Sequence, residues 1–222
     1  MIVVFDLDDT LYPELSYVEG GFRAVARELE RRWGIDPDEA VATMLESLHA
    51  DGRGTQFEAV VERFGLTGRQ SIRRLVSVYR HHEPRIALPA ASRGVLERLR
   101  DRPLYLVTDG HKVVQANKVD ALGIRGYFRH CYLTHRYGIA HRKPSPRVFR
   151  LIAARERCAP GDVVYVADDP SKDFRGIRPL GFRTIRVRTG WHADAVAPEA
   201  EDAEHAVRRL EDAVGVIERM EG

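Results

Sequence analysis

Asp6-Leu7-Asp8-Asp9-Thr10 follows a four-residue apolar run, Ile2–Phe5. Where a strand passes into a loop, residues two apart can face one pocket before the chain turns. That spacing would bring Asp6 and Asp8 together as a close carboxylate pair. Such a pair does not stay doubly ionised cheaply: one carboxyl keeps a proton, or a cation sits between them. With a divalent ion present, one carboxylate is free to attack an electron-poor centre while the other acid carries a proton for a leaving group. Taken alone, the segment also suits a solvated turn or a helix N-cap.

A second acidic segment, Asp168-Asp169-Pro170-Ser171-Lys172-Asp173, follows the apolar run Val163–Ala167. Two adjacent carboxylates and a third close behind make a hard oxygen site suited to Mg²⁺. Asp169 or Ser171 could instead cap a following helix, but a cap does not explain three acids in so short a stretch. Thr108-Asp109-Gly110 offers a hydroxyl and backbone amides that could cradle phosphate oxygens, and Gly110 permits close backbone approach. In Arg142-Lys143-Pro144-Ser145-Pro146, Pro144 forces Lys143 into an extended conformation and Pro146 can start a helix. Lys143 would then be a fixed point charge at the mouth of the fold.

These segments lie at the ends of strand-like runs. Ile2–Phe5, Leu104–Val107, Val163–Val166 and Thr184–Val187 are short and apolar, with His130–Thr134 a weaker fifth. Helical patterns at Ser92–Asp101, Lys112–Leu122, Pro146–Arg157 and Ser171–Leu180 alternate with them. The alternation predicts an α/β fold, a Rossmann-like parallel sheet flanked by helices, with the polar segments at the carboxyl ends of strands where ligands bind. Gln115 and Lys118, on the helix after Gly110, are expected to face solvent or adjoining loops. The tail from Glu199 to Met220 reads as one final helix.

Residues 13–88 break the alternation. Four apolar patterns recur there at helical spacing: Val18/Phe22/Val25/Leu29/Trp33, Val41/Met44/Leu45/Leu48, Phe57/Val60/Val61/Phe64 and Ile72/Leu75/Val76/Tyr79. Gly34, Asp36-Pro37, Asp51-Gly52, Gly54, Gly65 and Gly68 separate them. The expected organisation is an α/β core from residues 1–12 and 89–222, with a four-helix, bundle-like lobe over 13–88.

Charge and composition narrow the function. Thirty-five basic and 33 acidic residues give a formal charge of only +2, which argues against a nucleic-acid binder working through a general basic surface. Two cysteines make no disulfide framework, and no apolar run is long enough for a membrane span. The first residues run straight into a strand, without a basic leader, so a cytoplasmic location is expected. Arg supplies 31 of the 35 basic residues; the four lysines are Lys112, Lys118, Lys143 and Lys172, all within or just after the segments singled out above.

In order and in register with the strands, Asp6-Leu7-Asp8-Asp9-Thr10, Thr108, Lys143-Pro144 and Asp168-Asp169…Asp173 resemble the motifs of the haloacid dehalogenase superfamily. The resemblance covers nearly the whole chain, residues 13–88 looking like the helical cap of that family. It implies a phosphatase that hydrolyses a small phosphorylated metabolite through an aspartyl-phosphate, with Asp6 as nucleophile and Asp8 as general acid and then base. Thr108, Asp109 and Lys143 would bind the phosphoryl group. Mg²⁺ would be held by Asp6, the Asp8 backbone carbonyl, Asp168 and Asp169, with Asp173, Thr10 and Gly110 in support.

Carbon–halogen dehalogenases of the superfamily lack the second acid, because a halide leaves without a proton; Asp8 therefore favours phosphate esters. A phosphomutase of the same mechanism and a non-catalytic metabolite-binding relative are the alternatives. Asp109 stands where relatives often carry Asn and is read chiefly as structural, and Ala167 stands where Gly or Ser is frequent. The substrate and the oligomeric state stay open.

Overall fold

The computed structural model describes residues 1–66 and 69–221; Gly68, one of the helix breakers above, lies outside them. The elements begin with β1 (Ile2–Phe5), followed by helices α1 (Leu15–Trp33), α2 (Pro37–Asp51), α3 (Gln56–Arg63), α4 (Arg69–His81) and α5 (Ala90–Arg98). Next come β2 (Leu104–Thr108), α6 (Lys112–Ala121), β3 (His130–Leu133), α7 (Arg147–Glu156), β4 (Val163–Ala167), β5 (Arg183–Val187), β6 (His205–Val207) and α8 (Leu210–Glu221). They fall into two compact units: Met1–Glu14 with Ala87–Gly222, and Leu15–Ile86 between them.

The first unit is the α/β fold read from the alternation. Its six strands pair in parallel in the order β3-β2-β1-β4-β5-β6. Every residue of β1, β2 and β4 is buried, which is why these runs are apolar without alternation. The strand order reverses between β1 and β4, and the crevice at such a switch point is where open α/β sheets bind ligands. Phe5 pairs with Val166, and the Asp6 amide donates to the Val166 carbonyl at 2.9 Å. That register carries the acids after β1 and β4 to neighbouring positions at the reversal. Below them, Val4, Tyr105 and Tyr165 pack with Val148, Phe149 and Ile152 of α7.

The second unit holds α1 to α4 around one core, including Val18, Phe22, Val25, Leu29, Met44, Leu48, Val60 and Leu75. The Asp36 carboxylate accepts from the Glu39 amide at 2.9 Å and Pro37 sits in the first turn, so α2 starts where the sequence breaks. Trp33 departs from its expected place on the α1 stripe, being 39% exposed at the helix end. Among the described residues no helix is long and apolar enough to cross a membrane.

Two helical expectations fail for identifiable reasons. Residues 171–180 are turns with a short 3-10 stretch at Arg178–Leu180. There the Asp169 carboxylate accepts from the Ser171 amide, and Asp173 accepts from the Asp169 amide at 3.0 Å. Side chains that bond nearby backbone in this way compete with helix. The tail is likewise not one helix: β6 adds to the free edge of β5, and α8 starts only at Leu210. Arg186, fully buried, binds Asp202 and the His192 and Ala195 carbonyls, pinning the intervening loop.

Gly176 lies where a Cβ would overlap the Pro144 carbonyl, next to Lys143. Gly176→Ala is expected to cost about 2–3 kcal/mol, because backbone rather than a flexible side chain must move. In a chain of this size that lowers the melting temperature by roughly 5–10 °C. An unchanged melting curve would show the two segments free to part.

Candidate active site

Asp6, Asp168 and Asp173 are buried, and one carboxylate oxygen of each lies within 4.8 Å of the others. Lys143, also buried, places Nζ 3.0 Å from Asp6 Oδ2 and 2.7 Å from Asp173 Oδ1. Its ammonium donates to the Tyr165 hydroxyl at 3.0 Å, and that hydroxyl donates to Asp173 at 3.2 Å. Thr10 Oγ1 donates to Asp168 Oδ1 at 3.3 Å.

Three carboxylates face this one ammonium, so their charges do not cancel. Burial, and after it the opposition of Lys143 by Asp173, leaves the Asp6 carboxyl well above the usual carboxylate range. Burial, with Asp6 and Asp173 beside it, raises Asp168 in the same way. Burial works against the charge on Lys143, but Asp173 and Asp6 outweigh it and hold its pKa well up. A further positive charge would relieve the acids, and Asp6 Oδ1 is buried with no hydrogen-bond partner. Hard oxygen donors converging around such an atom fit Mg²⁺.

Asp169, expected among the metal ligands, turns elsewhere. Its carboxylate accepts from the Ser171 amide and hydroxyl and pairs with Lys172 at 2.9 Å and His192 at 3.3 Å. Its pKa lies at about 2 because, against its burial, Lys172, Ser171 and His192 favour the charged form. Asp173, and not Asp169, stands with Asp6 and Asp168 in the carboxylate group.

Asp8 lies near enough to Asp6 to push its pKa up, but is not one of the three carboxylates that meet at the centre. Its half-buried side chain points to α6, where Lys118 Nζ lies 2.7 Å from Oδ1 and Gln115 Nε2 lies 2.9 Å from Oδ2. The Tyr12 hydroxyl donates to Oδ1 at 2.8 Å. Both α6 residues are 1% exposed: of the two expected surroundings, they face not solvent but an adjoining loop, the one that carries Asp8 and Glu14. They stand three apart on one face of the helix. Lys118 also pairs with Glu14 at 2.8 Å, and Gln115 donates to Thr108 Oγ1 at 2.6 Å. Gly110, at φ 133°, leaves the room that the Gln115 side chain occupies.

Asp109 serves the backbone. It accepts from the Thr134 hydroxyl and from the Lys143 amide at 3.1 Å, tying the ends of β2 and β3 to the Lys143 loop. A carboxylate already taken up by these donors is a poor phosphate contact, so its expected place beside the phosphoryl group is corrected to a clip that orients Lys143. Thr108 stays a candidate donor, buried at the end of β2. Asp9, in a left-handed conformation at φ 52°, accepts from the Glu14 amide at 2.9 Å and the Trp191 amide at 3.4 Å. Those bonds hold the turn on which Asp8 stands.

Gln115, Lys118, Glu14 and Tyr165 are the residues that motif reading passed over. One signal was present: Lys118 is among only four lysines in a chain that otherwise uses Arg.

The sheet order defines a class of parallel α/β core with an acid–lysine centre at its switch point, and solved structures carry the same fold. The HAD-hydrolase YfnB from Bacillus subtilis, solved bound to magnesium, superposes with a TM-score of 0.67 at 15% identity, covering 97% of each chain. The family profile for haloacid dehalogenase-like hydrolases matches residues 1–181, and the chain belongs to that family. A glyceraldehyde 3-phosphate phosphatase from Methanopyrus kandleri is 29% identical over 203 residues, covering 86% of this chain and 85% of its own. A phosphoserine phosphatase from Thermus thermophilus is 28% identical over 228 residues, covering 85% and 89%.

Proposed function

We propose that this chain is a Mg²⁺-dependent phosphatase that hydrolyses a small phosphorylated metabolite, with Asp6 as the nucleophile. The observation that carries the reading is the buried Asp6 carboxylate. One of its oxygens is partnerless and the other lies 3.0 Å from Lys143, at the switch point of the sheet. Two relatives named as phosphatases of different small phosphate monoesters support the substrate class.

An oxygen of Asp6 attacks phosphorus and the ester P–O bond breaks. Its electron pair goes to the leaving oxygen, which takes the proton of the Asp8 carboxyl group. Water then attacks the phosphorus of the aspartyl-phosphate and gives a proton to the Asp8 carboxylate. The bond to Asp6 breaks, inorganic phosphate departs and both acids return to their starting forms. Lys143 and Thr108 hold the phosphoryl oxygens, so catalysis is largely positioning and charge stabilisation. Asp6, Asp168 and Asp173 would hold Mg²⁺, and the ion would supply positive charge to offset that of the phosphoryl group. The Asp8 backbone carbonyl completes the set implied by the motif. The inserted helical unit serves as a cap and carries substrate choice.

The test is a panel of glyceraldehyde 3-phosphate, phosphoserine, sugar phosphates, nucleotides and phosphoglycolate with Mg²⁺, scored by phosphate release. Release from at least one member, lost on chelation of the metal, is the expected outcome. Phosphoryl migration without release would identify a mutase instead. Binding without turnover across the whole panel would identify a non-catalytic relative.

A further inference from the structure

We propose that Gln115 and Lys118 are positioning residues that fix the Asp8 carboxyl group and leave its Oδ2 as the atom that transfers the proton. The inference rests on Asp8 being the proton donor of the proposed mechanism. It starts from the unequal use of the two oxygens. Oδ1 takes two donors, Lys118 Nζ at 2.7 Å and the Tyr12 hydroxyl at 2.8 Å, whereas Oδ2 takes one, Gln115 Nε2 at 2.9 Å. A carboxyl oxygen with two donors has no room for a proton, while one with a single donor keeps a free lone-pair direction.

Lys118 does not hold Asp8 alone. Its Nζ is divided between Asp8 and Glu14, which follows at the end of the same segment. The lysine is 1% exposed, so it anchors the acid from the protein side rather than from solvent. Gln115 adds a second link. The same Nε2 that donates to Asp8 Oδ2 donates to Thr108 Oγ1 at 2.6 Å, joining the proton donor to the hydroxyl proposed to hold the phosphoryl group. One helix face thus sets the distance between the two. Gly110 is part of the device, since a Cβ there would stand 3.0 Å from the Gln115 side chain.

A positioning role for the proton donor has a signature that damage to the site lacks. 4-Nitrophenyl phosphate releases a stabilised phenolate that needs no proton, whereas benzyl phosphate, of nearly the same shape, releases an alkoxide that does. The ratio of kcat/KM on the first to kcat/KM on the second, which reports only the steps up to the aspartyl-phosphate that both esters share, is therefore measured in the full-length protein with Mg²⁺. The variants are Asp8→Asn, Gln115→Leu, Lys118→Met, and Lys118→Met combined with Glu14→Gln. The double variant removes one charge of each sign, so Glu14 is not left buried without its partner.

Asp8→Asn is expected to raise the ratio by at least about 100-fold, the range of general acid assistance. Gln115→Leu and the two Lys118 variants should raise it by about tenfold or more. If Asp8→Asn leaves the ratio unchanged, Asp8 is not the proton donor and the proposed mechanism itself fails. If Asp8→Asn raises the ratio but the α6 variants lower kcat/KM on both esters equally, Gln115 and Lys118 do not position the donor and this inference is overturned. Should Lys118→Met alone fail to fold, Gln115→Leu and the double variant decide between the same two results.

Discussion

Asp6→Asn is expected to lose turnover by at least about 10⁴-fold, as loss of a covalent nucleophile does in other enzymes. Asn has nearly the volume of Asp, so the packing at the end of β1 is kept. An amide oxygen is a poor nucleophile, and it brings no negative charge to the metal. Asp6 is buried beside Asp173 and Asp168, and the unfavourable cost of its ionised form comes first from that burial. Removing one acid from a cluster with more acids than lysine does not weaken the folded state. The melting temperature of Asp6→Asn should therefore equal or exceed that of the native protein, while kcat disappears. A parallel fall of both would mean that Asp6 supports the fold rather than the reaction.

Lys143→Met should damage both. Lys143 is the buried cation between Asp6 and Asp173, and Tyr165 fixes it by accepting a hydrogen bond from it and donating one to Asp173. Methionine replaces the stem but not the charge. Breaking a buried ion pair from one side costs about 3–5 kcal/mol, because the remaining acids lose their partner inside the protein. For a chain of this length the melting temperature falls by roughly 10 °C. Turnover should fall by about 10³-fold, the scale of removing a charged donor from a developing phosphoryl charge. Added Mg²⁺ should restore part of the lost stability, since the ion proposed for the acid cluster would bind the folded state alone. A variant that melts and turns over like the native protein would remove Lys143 from the site.

The residues of the proposed site were the most legible part of the chain. Asp6, Thr108, Lys143 and Asp168 each follow a short apolar run or flank a proline, and a buried parallel sheet leaves such runs unbroken. Asp173 was legible only as one of three acids, because choosing between it and Asp169 depends on which one the local backbone occupies. Ser171 and Lys172 take Asp169, and no spacing rule foretells that. Lys118 and Gln115 were left between solvent and loop for a related reason. A polar pair on a helix faces water in most proteins; here the Asp8 and Glu14 carboxylates, brought from more than 100 residues away, and the Thr108 hydroxyl give the pair partners that make burial favourable. The tail failed through pairing: Ala203, Ala206 and Val207 fit a helical stripe, but the open edge of β5 recruits His205–Val207 as a strand.

In the proposed reaction Asp6 carries the phosphoryl group during turnover. The most direct measurement is rapid acid quenching of the native enzyme in its first turnover on a substrate from the panel, followed by peptide mass analysis. The expected result is one phosphoryl group on the peptide containing Asp6, released by hydroxylamine and absent from Asp6→Asn. A phosphoryl group on another residue would contradict the claim, and so would phosphate release in the first turnover with no phosphorylated protein at any time.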